Sequence, residues 1–413
     1  MAAAPIRCTR AKGFYVVDVI VVGRSFSVRP LWQVNFQMVC HSAVLGLSVF
    51  LATPLAAAEG APSESPATEP VPVDRGQRAM TDPADVDADF AYQGEFTDAA
   101  NVAARGTWGL QVVALGDGRL DAVLLRGGLP GAGWDGHAKY RLTGQRGTEW
   151  ATLEGDGYRV KLTPTEAVVS TAENATGTTL PRVHRVSPTQ DAPPPPAATV
   201  LFDGRSTDQL LQARVTPDGL LEVGAVTKAP LRDFHMHAEF RTPYMPFARG
   251  QGRGNSGIYI QQRYEVQILD SFGLEGVENE CGGIYKQRAP DVNMCLPPLS
   301  WQTYDIYFTA ARWDRCGRKA SRARITVVHN GVTIHDDYAI RAKTGAGKAE
   351  DWTALPTLFQ NHNNPVRFRN VWVEPYEPAA RVQYAAQVCR ADARGKLLRA
   401  CLSRHGLLRF RRR

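Results

Sequence analysis

The sequence predicts an all-β protein: a two-sheet sandwich over residues 200–377, preceded by a smaller β-rich module over residues 90–187. Three observations carry this. Short apolar runs alternate with Gly, Asn and Asp turn signals through both stretches, neither holds an apolar pattern of helical period and useful length, and four consecutive prolines separate them.

The charge sits at the ends. The 413-residue chain is formally +7, but residues 1–58 hold five Lys or Arg against one acid, and residues 378–413 hold ten against one. Residues 59–377 therefore carry 33 basic and 39 acidic side chains, a net −6. A basic chain taken whole points towards nucleic acid, whereas a mildly acidic body does not. No apolar run reaches the roughly 18 residues of a membrane-spanning helix, so no transmembrane segment is expected.

From Met38 the chain reads MVCHSAVLGLSVFLATPLAAAEG, an apolar stretch followed by Pro54 and by Ala56-Ala57-Ala58 as a small-residue processing site. A signal peptide beginning at residue 38, inside an N-terminal extension of residues 1–58, is the expectation, and with it export to the periplasm or beyond. The lack of Lys or Arg before the run counts against it, and a buried core helix is the other reading. Residues 59–89, rich in Ala, Pro, Ser, Asp and Glu, read as a disordered linker. The basic tail of residues 378–413 reads as a poorly structured appendage rather than a helix for nucleic acid or anionic lipid, since it has no stacking-aromatic or finger motif.

Within residues 90–187 the runs WGLQVVAL, LDAVLL, YRLTG, EWATLEG, YRVKLT and AVVSTA give six or so strands. Carboxylates there fall in turns, and Asp135 and His137 in the Gly-rich loop around Trp134 read as solvated. Residues 188–199, with the proline run, form an extended spacer. Beyond it come FHMHAEFR, SGIYIQ, YEVQILD, TYDIYFTAAR, ARITVVHNGVTIHDD and VRFRNVWVEP, whose alternation favours two packed sheets.

The alternation assigns faces. In YEVQILD, Glu265 and Gln267 share one face and Val266 and Ile268 the other; a carboxylate and an amide about 7 Å apart can grip neighbouring sugar hydroxyls, or one can act as acid or base. In FHMHAEFR, His235, His237, Glu239 and Arg241 form a polar row, either a groove wall or a wet edge. Asn330-Gly331 marks a tight hairpin. Pairing His329 with Val332 and Val327 with Ile334 leaves His335 on the polar face, towards a groove, and His329 solvated at the tip. His362, in an Asn-rich loop before Arg367 and Arg369, suits a rim for acid/base work. Glu265, His335 and His362 are also candidate ligands of a divalent metal, although their spacing is no zinc signature, and no cofactor is required.

Outside the ends the cysteines are Cys281, Cys295 and Cys316. Cys281 and Cys295 bracket a 15-residue polar loop that an oxidising compartment can close with a disulfide, an expected gain of roughly 3 kcal/mol; free thiols are the other reading.

Seven blocks in order carry a resemblance: Leu201-Phe202-Asp203-Gly204, Gly254-Asn255-Ser256-Gly257-Ile258-Tyr259, Tyr264-Glu265-Val266-Gln267-Ile268-Leu269-Asp270, Cys281-Gly282-Gly283-Ile284-Tyr285, Trp301-Gln302-Thr303-Tyr304-Asp305, His329-Asn330-Gly331-Val332 and Val366-Arg367-Phe368-Arg369-Asn370. Residues 200–377 thereby resemble the 3-keto-disaccharide hydrolase family. The resemblance implies a concanavalin-like β-sandwich, or jelly roll, and cleavage of glycosides whose sugar is oxidised at C3. It implies Glu265 and His362 as base and acid, and Asn255, Gln267 and Arg369 as residues that orient the sugar; His335, from its place on the hairpin, is a further catalytic candidate and Gln360, beside His362, a further substrate-binding one. A carbohydrate is then the partner, and a lectin-like binding protein is the alternative. The family loop often ends in Asp-His-Gly where this chain has Asn361-His362-Asn363, one carboxylate fewer.

Overall fold

The computed structural model describes residues 74–99 and 108–377 in full and, further towards the N-terminus, the backbone of one strand pair, β1 (Thr9–Ala11) with β2 (Phe14–Val16). The expected signal segment and the basic tail lie outside the described residues. Residues 1–72 and 73–413 are separate units, and the second holds both β bodies. Among the described residues no helix is long and apolar enough to cross a membrane.

Among the described residues all regular elements of more than four residues are strands. Eight of them close a barrel in the order β10-β3-β4-β5-β6-β7-β8-β9: β3 (Gly94–Thr97), β4 (Trp108–Ala114), β5 (Arg119–Arg126), β6 (Lys139–Arg146), β7 (Ala151–Gly155), β8 (Tyr158–Leu162), β9 (Glu166–Ser170) and β10 (Thr178–Val183). The sequence gives six or so strands here; Gly94–Thr97 and Thr178–Val183, short and mixed in polarity, are the pair that meet to close the ring. Closure removes both sheet edges. Alternate side chains such as Phe96, Leu110, Leu124, Leu142, Leu153 and Val160 are fully buried and form one apolar core inside the barrel. Asp135 stays a turn former, its Oδ1 accepting from the amides of His137 and Ala138. Part of the expected linker of residues 59–89 is ordered: from residue 74 the chain carries three short 3-10 turns, the last at Ala88–Ala91, and Met80 bridges to Tyr244.

The later strands are β11 (Thr199–Phe202), β12 (Leu210–Leu211), β13 (Leu221–Glu222), β14 (Val226–Thr227), β15 (Phe234–Arg241), β16 (Ser256–Ile260), β17 (Tyr264–Ile268), β18 (Gln302–Thr309), β19 (Arg312–Trp313), β20 (Lys319–Ser321), β21 (Arg324–His329), β22 (Val332–Ala339), β23 (Leu358–Phe359) and β24 (Arg367–Pro375). One sheet runs β11-β24-β15-β18-β21-β22, with β13 also on β24, and a second runs β12-β14-β23-β16-β17. The two share one core: Phe234, Met236, Phe240, Ile306 and Phe308 from the first meet Ile258, Ile260, Val266, Ile268 and Phe359 from the second.

The hairpin after β21 corrects the sequence register. His329 does pair with Val332 across Asn330 and Gly331, both at positive φ, but Val327 faces His335 rather than Ile334. A bulge at Ile334 adds one residue, and a one-residue slip carries His335 to the buried face. His329 is also buried, because it shares the parity of Ile325 and Val327 and packs on Phe240 and Tyr304.

The disulfide is overturned as well. Cys281 and Cys295 are free thiols, buried, in a near-contact of 4.2 Å, about twice an S–S bond. The Tyr304 hydroxyl spends its one proton on the Gln267 carbonyl at 2.7 Å, so its 3.2 Å contact with Cys281 Sγ is a bond that the thiol donates. Alkylation in denaturant without reductant should label both Cys281 and Cys295; protection of either until reductant is added would contradict the packing.

Candidate active site

Strand β17 is the origin of the site. Tyr264, Val266 and Ile268 turn into the core, which sends Glu265 and Gln267 to the opposite face of the five-stranded sheet. Cross-strand register then selects their neighbours: Glu265 faces Tyr259 and Gln267 faces Gly257 on β16. The absence of a side chain at Gly257 is what allows convergence. A Cβ there would stand 2.6 Å from Glu265 Oε1 and 3.2 Å from Gln360 Oε1, so carboxyl and amide both lean over this one residue.

The free edge of β17 is sealed by the segment of residues 282–285. Gln267 exchanges backbone bonds with Gly283 O and the Gly282 amide, both at 2.9 Å, and the Tyr285 amide reaches Glu265 O at 3.2 Å. Thr344 Oγ1 takes the Glu265 amide at 2.8 Å. Glu265 is thus only 2 % exposed. Burial raises its pKa to about 7, opposed by a hydrogen bond with the Tyr259 hydroxyl. The same burial, with the carboxyl beside it, pushes the Tyr259 phenol well above its ordinary range, so Tyr259 is a neutral donor.

A chain of amides fixes the other groups. Asn255 Nδ2 donates to the Gln251 carbonyl at 2.7 Å, an acceptor that cannot flip, so Asn255 Oδ1 must face Gln267. Gln267 answers with Nε2 at 3.0 Å, which leaves its Oε1 as the free acceptor of the amide. Gln360 is anchored through its backbone to Gly257 O and Ser256 Oγ, both at 2.8 Å. Three buried acceptors, Glu265 Oε2, Gln267 Oε1 and Gln360 Oε1, then have no hydrogen-bond partner. Leaving such a group unpaired costs about 1–3 kcal/mol, so the trio is suited to a ligand rich in hydroxyl donors.

Of the sequence candidates, Glu265, Gln267, Asn255 and Gln360 come together. The others do not join them. His335 is fully buried, with Nε2 on Gly282 O at 2.7 Å and its other nitrogen against Arg288; burial lowers its pKa to about 3. It holds the edge segment of residues 282–285 instead of reaching a groove. His362 lies exposed between Gln360 and Asn364, whose Oδ1 accepts the Asn255 amide at 2.7 Å. Arg369 belongs to the other sheet, bonded to Glu239 Oε2 at 2.8 Å and Asp191 Oδ1 at 2.9 Å. Glu265, His335 and His362 therefore form no metal site, and no group of three His, Cys, Asp or Glu among the described residues is arranged to hold an ion. Tyr259, Gln251 and Thr344 were missed by the sequence reading; for Tyr259 the parity of Gly257 in SGIYI is the signal that reveals its face.

The middle of the polar row of β15 is neither wet nor a groove wall, whereas Arg241 at its end lines a cavity of about 410 Å³ with Asp82, Asp218 and Arg367. His237 and Glu239 are fully buried beneath residues 187–192: the Thr189 hydroxyl donates to Asp305 Oδ2 at 2.9 Å, Glu239 Oε1 accepts the Asp191 amide, and Ser187 and Thr303 hydroxyls meet at 2.6 Å. Burial alone would lower the pKa of His237, but Asp305 at 2.8 Å and Glu239 raise it to about 9. Burial would raise Glu239, and His237, Asn370 and Arg369 outweigh it, holding Glu239 down at about 2.

Comparison with known proteins bears on this geometry. Residues 197–374 match the family model described as a 3-keto-alpha-glucoside-1,2-lyase-like domain. Among solved structures, one protein of Parabacteroides distasonis ATCC 8503 described as a glycosyl hydrolase is 32 % identical, over 44 % of this chain and 84 % of its own, with a TM-score of 0.41. Another from the same organism, described alike, is 17 % identical over 44 % of this chain and 94 % of its own, with a TM-score of 0.33. No curated protein matches the chain.

The buried carboxyl predicts a stability signature. A folded-state pKa near 7, above the roughly 4.3 of an unfolded Glu, means stability that is complete below about pH 4 and withdrawn as pH rises through 7. Glu265→Gln removes that titration. From pH 5 to 8.5 the wild type should lose on the order of 2–3 kcal/mol relative to the variant in denaturant titrations; parallel curves would show a carboxyl that ionises as if in water.

Proposed function

Because the chain belongs, through residues 197–374, to the 3-keto-alpha-glucoside-1,2-lyase-like family, we propose that this site cleaves 3-keto-glycosides or 3-keto-disaccharides with Glu265 as its base. The observation that carries the assignment is the Glu265 carboxyl: buried, with one oxygen unpartnered, and with its pKa at about 7, where a base is both deprotonated and strong at neutral pH.

The chemistry follows from the ketone. A carbonyl at C3 acidifies the C2 proton; Glu265 takes it, the electron pair forms the C1–C2 double bond through the enolate, and the C1–O bond breaks. The departing oxygen needs one proton, which the newly protonated Glu265 holds, so the carboxyl can return to its starting state within the cycle. Water adding across the double bond then gives the free 3-keto sugar. Gln267 Oε1 and Gln360 Oε1 accept ring hydroxyls and orient the sugar, and Asn255 holds Gln267 in the required rotamer. An unoxidised glycoside has no acidic C2 proton. A two-carboxylate glycosidase mechanism is disfavoured, since the same-face partner of Glu265 on its strand is an amide.

Two wider readings belong to the same proposal. The paired antiparallel sheets over a single core support the concanavalin-like sandwich that the family implies. Export rests on the apolar segment and small-residue site of residues 38–58; the cysteines no longer support it, since both buried ones are free.

Incubating the whole chain with a 3-keto disaccharide and its unoxidised counterpart should release the leaving sugar from the keto compound alone. The value of kcat/KM should climb about tenfold per pH unit and level off above pH 7, and Glu265→Gln should lower kcat by about 10²–10⁴. Saturable binding without release would make the protein a lectin, and cleavage of the unoxidised sugar would remove the enolate from the mechanism.

A further inference from the structure

The barrel has an apolar core, yet one of its turns meets the loop that feeds the site. Three successive backbone positions at the end of β4 are involved, the last residue of the strand and the two that follow it. Ala114 O accepts Arg253 Nη1 at 3.4 Å, Leu115 O accepts Arg249 Nη2 at 3.1 Å, and Gly116, at φ +78°, lies under the Phe247 ring so closely that a Cβ would fall 2.2 Å from it. Phe247, Arg249 and Arg253 all belong to residues 242–255, which join β15 to β16 and include Gln251 and Asn255. The same loop is held upstream, where Tyr244 exchanges both backbone bonds with Met80 at 2.9 Å and its hydroxyl donates to Asp87 at 2.9 Å, and the Arg75 guanidinium stands 3.8 Å from the Phe247 ring centroid.

From this clamp the contacts run straight to the site. Arg253 Nε donates to Asp270 Oδ2 at 2.6 Å, and its carbonyl takes the Asp270 amide at 3.1 Å, tying the loop to the chain just after β17. Two residues either way stand Gln251, whose carbonyl orients Asn255, and Asn255, whose Oδ1 orients Gln267. Inside the loop the amides of Gly252 and Arg253 have only local bonds, to Arg249 O and Gly250 O, both at 3.1 Å. Such a stretch holds one conformation because something outside it does the holding.

We propose that the barrel is a brace for the substrate loop, with Phe247 and Arg253 as positioning residues that set Gln251 and Asn255 and so aim Gln267 Oε1 at the substrate. The barrel then works as part of the catalytic body and not as a separate carbohydrate binder. The mechanical half of this stands on geometry alone; the kinetic half rests on the lyase reading above.

The test separates the two. In full-length Phe247→Ala and Arg253→Lys, hydrogen exchange of peptides spanning residues 250–256 should quicken about tenfold or more, while peptides from β18 and β21 keep their protection. Phe247→Leu serves where the alanine variant does not fold. On a 3-keto disaccharide, kcat/KM should fall about tenfold in each single variant, but by less than about twofold when the change is made in a Gln267→Leu background, because the brace acts through that amide. Unchanged exchange overturns the brace, and so do losses that multiply independently of Gln267. If the wild type shows no lyase activity, the exchange result alone decides: quickened exchange upholds the brace while the lyase reading fails.

Discussion

A carboxyl can be kept out of water without a charge partner only where its backbone has no freedom to carry it back out. Strand β17 supplies that condition. It pairs with β16 on one edge and with residues 282–285 on the other, it is plugged into the core by Tyr264, Val266 and Ile268, and Thr344 holds the Glu265 amide. Five residues thereby do two jobs: Tyr264, Val266 and Ile268 seal the two sheets together, and Glu265 and Gln267 are presented on the far face. His335 serves the same end from a distance, as a neutral ring under the Gly282 carbonyl.

The protein buries carboxylates in two opposite ways, and the contrast identifies which are chemical. Asp305 and Glu239 are surrounded by His235, His237, Arg369, Asn370 and the amide of Asp191, so their pKa values are driven down despite burial and the groups stay charged at any ordinary pH. A network of that kind, in which each carboxylate meets positive or N–H partners, fastens structure. Glu265 has no cation, one phenol and a bare oxygen, and its pKa goes up. A group that changes charge near neutrality and keeps an acceptor free has the properties of a proton carrier.

How much of this the sequence discloses depends on the range of the interaction involved. Period-two alternation correctly gives the faces of Glu265 and Gln267, and the Asn330-Gly331 turn gives the first pair of its hairpin, because both are local rules. His335 escapes because a single bulged residue at Ile334 reverses a face, and no propensity marks where a bulge falls. His329 escapes for a simpler reason: its parity with Val327 puts it inward, and a turn next door does not override parity. Arg369 and Gln360 look equivalent as polar residues beside strands, but they sit on different sheets, a fact of topology. The cysteines bracket a loop at a plausible spacing, and spacing says nothing about Tyr304, which takes up the thiol of Cys281.

The spacer between the two bodies decides which sheet can work. A two-sheet body offers two outer faces, and by sequence the row His235, His237, Glu239 is the richer in acid/base groups. Residues 187–192 lie across it, bonded through Ser187 to Thr303, through Thr189 to Asp305, through Asp191 to Glu239 and Arg369, and through the Ala192 carbonyl to Asn370. The strap converts the more reactive-looking face into a fastening, and the same chain that supplies it also supplies the barrel turn that grips residues 247–253. Three acceptors left without partners, Glu265 Oε2, Gln267 Oε1 and Gln360 Oε1, gather instead at the five-stranded sheet around Gly257, where the carboxyl near neutrality lies.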